Sequence, residues 1–224
     1  MNPWVLLDKV TVPGDGGEMK LFQRAHEFSI SVKNEELMNN RMHGSEDALA
    51  ELACKRVTAR KAPRVLIGGL GMGFTLGSAL EHLDDTAEVI VAELVPAVVK
   101  WNRTHLADLA GRPLEDSRVE VRETDVRLVI KEKNEAYDAI MLDVDNGPDG
   151  LTHEGNDRLY TRGGINAAKA ALRPGGILAV WSAESDRSFT KRLRGAGLRV
   201  EEVTVRARTT KGRRHTIWLA EKVA

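Results

Sequence analysis

Five short apolar runs, each separated from the next by a segment long enough for a helix, constrain the fold of this chain more than any other feature. The runs are RVLIGG (64–69), EVIVAE (88–93), VEVRET (119–124), YDAIMLD (137–143) and GILAVW (176–181). Several are apolar at consecutive rather than alternate positions, which is the pattern of parallel strands covered by helices on both faces. The sequence therefore predicts an α/β fold built on a doubly wound, mostly parallel sheet.

The two ends of the chain have a different pattern. Near the C-terminus, LRVEEVTVRARTTKGRRHTIWLAE predicts two strands joined by a basic turn, an antiparallel hairpin at the sheet edge. Residues 1–44 contain the strand-like runs WVLLDKVTV, MKLFQR and EFSISVK between turn residues, which predicts a small β-rich N-terminal appendage. We expect residues 45–224 to form the main domain, with Ser45 capping its first helix and Glu46 and Asp47 in the first turn of that helix.

Composition narrows the class of protein. With 224 residues, 42% of them hydrophobic, the chain is long enough for one main core. The single cysteine, Cys54, excludes an internal disulfide and a cysteine-rich zinc site, and the six histidines are dispersed without ligand spacing. We therefore expect no metal. There is no leader-like segment or apolar run of about 18 residues, so we expect a cytoplasmic protein with no membrane partner.

The formal net charge is zero, but the charges are unevenly spread. Acidic residues concentrate in residues 143–157 and basic ones in residues 206–214. A footprint for nucleic acid over the whole chain is absent. We expect the basic turn to be a solvated edge that discourages pairing of strands between molecules, rather than a nucleic-acid contact. Its cations are Arg206, Arg208, Lys211, Arg213 and Arg214.

A glycine-rich loop, GGLGMGF, follows the first parallel strand and begins at Gly68. Glycine lets the backbone turn tightly and approach a ligand, and the helix that follows offers free N–H groups. Phe74 occupies the place of the last glycine of a dinucleotide motif, which argues against a bound pyrophosphate. The alternative for such a loop is a glycine-rich turn that allows a strand to pack closely against a helix.

Two carboxylates follow the next two strands. Glu93 ends the second strand, where a carboxylate can accept hydrogen bonds from the hydroxyls of a ribose; the alternative is a surface charge. Asp125 ends the third, where it can accept from an adenine amino group or cap the next helix. Because ligands of such sheets bind at the carboxyl ends of the strands, these positions predict a nucleoside site.

The successive motifs VLIGGLGMGFTL, VAELVPAVV, RETDVRLVI and YDAIMLDVDNGP resemble those of the class I S-adenosylmethionine-binding fold. Specifically, they resemble the spermidine synthase (polyamine aminopropyltransferase) family. The resemblance covers about residues 60–185, and more loosely the β-rich start. It implies a Rossmann-like domain of the class I methyltransferase type, and a homodimer formed through the β-rich start.

The resemblance also implies roles for individual residues. Glu93 would bind the ribose, Asp125 would meet the adenine, and Asp143 would be the catalytic aspartate. Glycines of the loop would line the methionine-derived part of the co-substrate, namely Gly69, Gly71 and Gly73. The implied co-substrate is decarboxylated S-adenosylmethionine, and the implied partner is a polyamine or related amine.

The acidic stretch MLDVDNGPDG, residues 141–150, then has a chemical explanation. Ammonium groups of a polyamine need fixed acceptors, which Asp145 and Asn146 would supply. Asp143 would orient the attacking nitrogen and take its proton, if neighbours such as Asp145 raise its pKa. The alternative is a solvated turn, since Asp, Asn, Gly and Pro are ordinary turn residues. Tyr160 and Trp181 either wall the substrate pocket or pack in the core.

Three departures from the family pattern leave the reaction open. Met72 stands where the family has an aspartate that binds the free amine of the aminopropyl group, and Asn146 stands at the second acid of the family's D-S/T-S/T-D motif. The family's tyrosine-histidine-glutamate segment has no clear match near RMHGSED. We expect aminopropyl transfer, with two alternatives: an S-adenosylmethionine-dependent methyltransferase, or a non-catalytic nucleoside-binding module.

Overall fold

The computed structural model describes residues 2–14, 17–144, 157–207 and 212–223. Within these ranges the chain forms two β-sheets and a set of helices. The strands are β1 (Val5–Thr11), β2 (Glu18–Arg24), β3 (Glu27–Val32), β4 (Glu35–Asn39), β5 (Arg64–Gly68), β6 (Glu88–Glu93), β7 (Val119–Glu123), β8 (Tyr137–Leu142), β9 (Leu172–Ser182), β10 (Leu198–Arg206) and β11 (Arg214–Lys222). The α-helices are α1 (Gly44–Cys54), α2 (Phe74–His82), α3 (Pro96–Arg103), α4 (Val126–Glu132), α5 (Asp157–Tyr160), α6 (Arg162–Ala171) and α7 (Arg187–Gly195).

The larger sheet has seven strands in the order β10-β11-β9-β8-β5-β6-β7. Strands β5 to β9 pair in parallel, whereas β11 is antiparallel to both β9 and β10. The five predicted parallel strands and the predicted C-terminal edge hairpin are therefore confirmed. β6 matches its predicted run at both ends, and β9 begins earlier than predicted because Leu172 already pairs with Tyr137.

Helices cover both faces of this sheet. In β5, Val65 and Ile67 pack in a core that includes residues of α1, α2 and α3. Leu66, between them, points to the opposite core, which includes residues of α4, α6 and α7. Because successive side chains of a strand point to opposite faces, a strand buried on both sides must be apolar at consecutive positions. The doubly wound architecture predicted from those runs is confirmed.

The smaller sheet is N-terminal and antiparallel, with the order β1-β2-β3-β4. Its buried residues Leu21 and Ile30 belong to the same core as Leu49 of α1. Asp8 accepts a 2.9 Å hydrogen bond from the Trp101 indole nitrogen and thereby ties β1 to α3. The β-rich start is confirmed, but β4 was missed because EELMN is short and lacks an alternating apolar pattern. The division into two domains at residue 45 stays a prediction.

The start of α1 differs from the sequence prediction. The helix begins at Gly44 rather than after Ser45, and no side chain caps it. The Gly44 N–H donates to the carbonyl of Ala207 (3.0 Å), so this end of the helix is packed against the chain that follows β10. Ser45 lies inside the first turn, fully buried, and its hydroxyl donates to Glu46 instead of accepting from the backbone. The predicted Ser45 cap is wrong, and the predicted first-turn position of Glu46 is confirmed.

None of the helices in the described ranges is long and apolar enough to span a membrane.

Candidate active site

A cavity, which we call the main cavity, lies between the N-terminal sheet and the carboxyl ends of the central parallel strands. It has about 880 Å³ of space, including its opening to solvent. Its polar wall contains Glu93, Asp125 and Asp143, beside the glycine loop. The facing wall is apolar and comes from the N-terminal sheet and the segments beside it: Val12, Met19, Ile30, Val32, Leu37 and Met38. Sequence reasoning placed a ligand at the strand ends but did not identify this second wall.

Backbone geometry makes glycine necessary in the loop. Gly69 and Gly71 have φ angles of 89° and 53°, in the left-handed region. A Cβ on Gly69 would lie 2.3 Å from the carbonyl oxygen of Asp143, and one on Gly71 would lie 3.1 Å from the Met38 side chain. Both glycines line the cavity. Close packing at this loop is therefore confirmed, and close approach of a ligand stays a prediction.

The third predicted glycine has a different position. Gly73 is the N-cap of α2, and a Cβ there would lie 2.9 Å from Oδ1 of Asn102. Gly73 is not among the described residues that line the cavity. Asn102 is itself buried and donates to the carbonyl of Gly71 (2.8 Å), which fixes the loop against α3. Asn102 was not predicted, because an asparagine in a helix carries no sequence signal for this contact.

Glu93 is buried at the end of β6. Its two carboxylate oxygens accept hydrogen bonds from the N–H groups of Leu70 (2.9 Å) and Val95 (2.8 Å). Burial raises the pKa of Glu93, and the hydrogen bonds from the backbone oppose that rise. The carboxylate thus links the glycine loop to the segment that leads into α3, at the edge of the cavity. The alternative of a mere surface charge is wrong.

Asp125 caps α4, because its side chain accepts from the N–H of Arg127 (2.8 Å). The Arg127 guanidinium also pairs with this carboxylate. Asp125 lines the main cavity as well. The predicted helix cap is therefore confirmed, and the contact of Asp125 with an adenine amino group stays a prediction.

Asp143 follows β8 directly, and its N–H donates to the carbonyl of Gly68 (2.9 Å). Its Oδ2 accepts a 2.5 Å hydrogen bond from the hydroxyl of Thr75, in the first turn of α2. Burial raises the pKa of Asp143, and the Thr75 hydrogen bond opposes the rise. A carboxyl with a raised pKa is better suited to accept a proton near neutral pH. Thr75 was not predicted, although it comes two residues after the last glycine of the loop.

A second, smaller cavity adjoins the first beside Asp143. We call it the small cavity; its lining is Met38, Asn39, Glu46, Leu70, Gly71, Met72, Phe74, Thr75 and Asp143. Burial raises the pKa of Glu46, and the negative charge of Asp143 raises it further, whereas the hydrogen bond from Ser45 opposes the rise. Within the described part of the chain, Glu46 is thus a neighbour that interacts electrostatically with Asp143, and the sequence identified it only as a charge in the first turn of a helix.

The four predicted substrate-binding residues are not tested by this geometry. Asp145 and Asn146 lie outside the described residues. Tyr160 is buried in the core, with its hydroxyl donating to the carbonyl of Val144 (3.3 Å). Trp181 is partly buried and packs edge-on against His215, with ring centroids 4.9 Å apart. Neither aromatic residue is among the described residues that line the two cavities, and their substrate contacts stay predictions.

Cysteine chemistry has no support at this site. Cys54 is fully buried in α1, and burial raises the pKa of its thiol to about 12. A thiol with such a pKa is almost entirely protonated at neutral pH and is a poor nucleophile. Among the residues that the structure describes, no three or more histidine, cysteine, aspartate or glutamate side chains form a group that could hold a metal ion.

Comparison with protein families gives a match to one model. The model described as Spermine/spermidine synthase domain matches residues 43–190. This range starts just before α1 and includes the glycine loop and Asp143. It therefore covers the polar wall of the main cavity.

Curated relatives have consistent names. The chain is 34% identical over 138 residues to polyamine aminopropyltransferase 2 of Pseudomonas aeruginosa, a match that covers 59% of this chain and 37% of the relative. It is 28% identical over 174 residues to the polyamine aminopropyltransferase of Oceanobacillus iheyensis, which covers 77% of this chain and 31% of the relative. The chain thus spans about a third of the length of these curated relatives.

Solved structures agree on the fold. Spermidine synthase from Thermotoga maritima superposes with a TM-score of 0.75 at 17% identity, covering 97% of this chain and 72% of that one. A spermidine synthase in complex with the transition-state analogue AdoDATO gives a TM-score of 0.77 at 17% identity, covering 97% and 73%. These matches include the N-terminal sheet as well as the seven-stranded sheet, and confirm the predicted methyltransferase-like fold.

Proposed function

Because the chain belongs to the spermine/spermidine synthase family, we propose that it is a transferase that moves an aminopropyl group from decarboxylated S-adenosylmethionine to a polyamine or related amine. The observation that carries this proposal is the position of Asp143. Its carboxylate borders both the main cavity, with Glu93 and Asp125, and the small cavity, with Glu46. The names of the curated relatives support the same reaction.

The main cavity fits the nucleoside part of the co-substrate. Glu93 lines this cavity, where its carboxylate, held by backbone N–H groups, would accept hydrogen bonds from the ribose hydroxyls. Asp125 would accept from the adenine amino group. The apolar wall from the N-terminal sheet would cover the thioadenosine, and Gly69 and Gly71 leave space where a side chain would block its approach.

In the proposed reaction, one nitrogen of the amine loses its proton and attacks the carbon bonded to the positively charged sulfur. The new C–N bond forms as the C–S bond breaks, and the electron pair of that bond stays on sulfur, which leaves as neutral methylthioadenosine. Asp143 would orient the nitrogen and take the proton. Asp145, Asn146, Tyr160 and Trp181 would bind the rest of the amine.

One observation favours a second candidate, an S-adenosylmethionine-dependent methyltransferase. Met72 stands where the resemblance implies an aspartate, so the glycine loop offers no carboxylate to the aminopropyl ammonium group. Its side chain is almost fully buried, at 2% exposure. Methyl transfer would use the same cavity and the same in-line geometry with a different acceptor. A non-catalytic nucleoside-binding module would keep the main cavity and form no product.

Product analysis separates these functions. Purified protein is incubated with decarboxylated S-adenosylmethionine or with S-adenosylmethionine, each with a panel of diamines and polyamines, and the products are identified by mass spectrometry. Methylthioadenosine with an amine heavier by one aminopropyl unit supports the proposal. S-adenosylhomocysteine with a methylated acceptor supports the methyltransferase. Nucleoside binding without any product supports the binding module.

Three further expectations stay predictions. They are a homodimer formed through the N-terminal sheet, a cytoplasmic location, and a basic turn that is a solvated edge rather than a nucleic-acid contact. Residues 208–211 of that turn lie outside the described residues.

A further inference from the structure

The small cavity has an unbalanced negative charge. Two carboxylates, Glu46 and Asp143, line it, and its described lining contains no lysine, arginine or histidine. Neither carboxylate has an ion-pair partner among the residues that the structure describes. Two partly buried carboxylates in one cavity are unfavourable when both are ionised, because desolvation and mutual repulsion act together. A bound cation would relieve both effects.

A buried hydroxyl holds Glu46 in place. Its Oε2 accepts a 2.6 Å hydrogen bond from the hydroxyl of Ser45, which is fully buried and lies 2.8 Å from Nδ1 of His215. Burial and the charge of Arg213 lower the pKa of His215, so its imidazole is neutral at physiological pH. The histidine therefore positions Ser45 and Glu46 without supplying a positive charge to them.

A hydroxyl also holds Asp143, and this one belongs to Thr75, which itself lines the small cavity. Thr75 donates to Oδ2, and Oδ1 has no hydrogen-bond partner among the described residues. Oε2 of Glu46 accepts from Ser45, and the backbone N–H of Glu46 itself also interacts with the carboxylate. Each carboxylate is thus fixed by a neighbouring hydroxyl, and its two oxygens have more lone pairs than these contacts use.

Met72, which stands where the resemblance implies an aspartate, also lines the small cavity. The resemblance places at this position an aspartate that binds an ammonium group, and Met72 is buried, apolar, and part of the small-cavity lining. Glu46, from α1 rather than from the glycine loop, brings a carboxylate to the same space. The small cavity therefore keeps a negative charge that the loop alone would lack.

Given the proposed function, we propose that Glu46, together with Asp143, binds a primary ammonium group of a substrate in the small cavity and replaces the aspartate absent at Met72. Gly71, Met38 and Asp143 line both cavities, so a ligand with its nucleoside in the main cavity can extend an aliphatic amine past Asp143. The ammonium group belongs either to the aminopropyl arm of the co-substrate or to the acceptor amine. Both are alkylammonium ions of the same chemistry.

Binding measurements on Glu46→Gln test this inference. Affinities are measured by calorimetry for decarboxylated S-adenosylmethionine, for spermidine and putrescine, and for methylthioadenosine, which has no amine arm. Removing one charged partner of a hydrogen-bonded ion weakens binding by roughly 10- to 100-fold. We expect that loss for the ligand whose ammonium group occupies the small cavity, unchanged affinity for methylthioadenosine, and partial recovery in Glu46→Asp. Loss for decarboxylated S-adenosylmethionine alone identifies the aminopropyl arm; loss for the amine alone identifies the acceptor.

The matched control is Glu51→Gln on the same helix, since Glu51 is more exposed and pairs with Lys55 away from either cavity. It should change none of the affinities. Unchanged affinity of Glu46→Gln for all amine-bearing ligands would overturn the inference, and so would an equal loss for methylthioadenosine, which would show a purely structural role. These binding results do not depend on turnover, so failure of the wild-type protein to form an aminopropylated product would count against the proposed function separately.

Discussion

Oδ2 of Asp143 accepts a 2.5 Å hydrogen bond from the hydroxyl of Thr75, which joins the end of β8 to the first turn of α2. The bond fixes the carboxylate at the boundary between the main and small cavities. It leaves Oδ1 free of hydrogen bonds within the described residues. A carboxylate with one fixed and one available oxygen can both orient an amine and accept its proton.

Gly69→Ala tests whether the glycine loop positions Asp143. The new methyl group would lie 2.3 Å from the Asp143 carbonyl oxygen, at a residue with a φ of 89°. The backbone of both residues must shift, so we expect a loss of about 3 kcal/mol or more in the free energy of unfolding. Urea denaturation measures it.

The control for this substitution is Gly195→Ala at the end of α7, where an added Cβ would have no atom within 4 Å. We expect it to change the free energy of unfolding by less than about 1 kcal/mol. Equal stability of the two variants would show that the loop adapts to the added methyl group without cost.

Glu93→Gln tests the nucleoside half of the site. The amide has one acceptor oxygen, so one of the N–H groups of Leu70 and Val95 would lose its partner. We expect a loss of about 1–3 kcal/mol in stability and a roughly 10- to 100-fold weaker affinity for methylthioadenosine, measured by calorimetry. Glu88→Gln, at the exposed start of the same strand, is the control. Full affinity in Glu93→Gln would exclude a ribose contact.

We also expect Glu46→Gln to change how the free energy of unfolding depends on pH. The pKa of folded Glu46 is raised to about 7, above the value of about 4.3 expected when unfolded. The carboxyl group of Glu46 therefore binds a proton more tightly in the folded state than in the unfolded state. The stability that this protonation gives is fully present below about pH 4 and is lost as the pH rises through about 7. Without ligand at pH 8, the ionised Glu46 faces Asp143, whose pKa is raised to about 6, and glutamine removes that repulsion.

Because Glu46 is only partly buried, we expect Glu46→Gln to be more stable than the wild type by about 1–2 kcal/mol at pH 8, a Tm higher by about 2–8 °C. The difference should disappear near pH 4.5. Thermal unfolding at both pH values measures it, with Glu51→Gln as the control. A variant less stable than the wild type at pH 8 would show that the charge of Glu46 is not strained in the absence of ligand.

Local patterns in the sequence were sufficient to predict most of the fold. The consecutive apolar positions of β5 and β8 are a direct consequence of burial on two faces, and they can be read without tertiary information. The C-terminal hairpin followed from its alternation and its basic turn. β4 could not be predicted in this way, because EELMN becomes a strand only by pairing with β3. The Ser45 cap was wrong because contact with Ala207 moves the helix start to Gly44.

The sequence was sufficient to predict the site residues that lie at the ends of parallel strands, but not those that come from other elements. Glu93, Asp125 and Asp143 each lie at the end of a parallel strand or within two residues of it, so topology brings them to one edge of the sheet. Glu46 and Met38 come from separate elements, and their place beside Asp143 depends on how the N-terminal sheet and α1 pack on the main sheet. The raised pKa of Asp143 was expected from neighbours such as Asp145, which lies outside the described residues, whereas the cause that the structure gives is burial.

The most direct test of the central claim is a parallel assay of the wild type and Asp143→Asn with decarboxylated S-adenosylmethionine and a polyamine. The amounts of methylthioadenosine and of aminopropylated amine are measured in each reaction. Asp108→Asn, at a highly exposed aspartate, is the control. We predict equal molar amounts of the two products from the wild type, a rate lower by about 10²–10⁴-fold in Asp143→Asn, and unchanged affinity for methylthioadenosine. An undiminished rate in Asp143→Asn, or no methylthioadenosine and no aminopropylated amine from the wild type, would contradict the account.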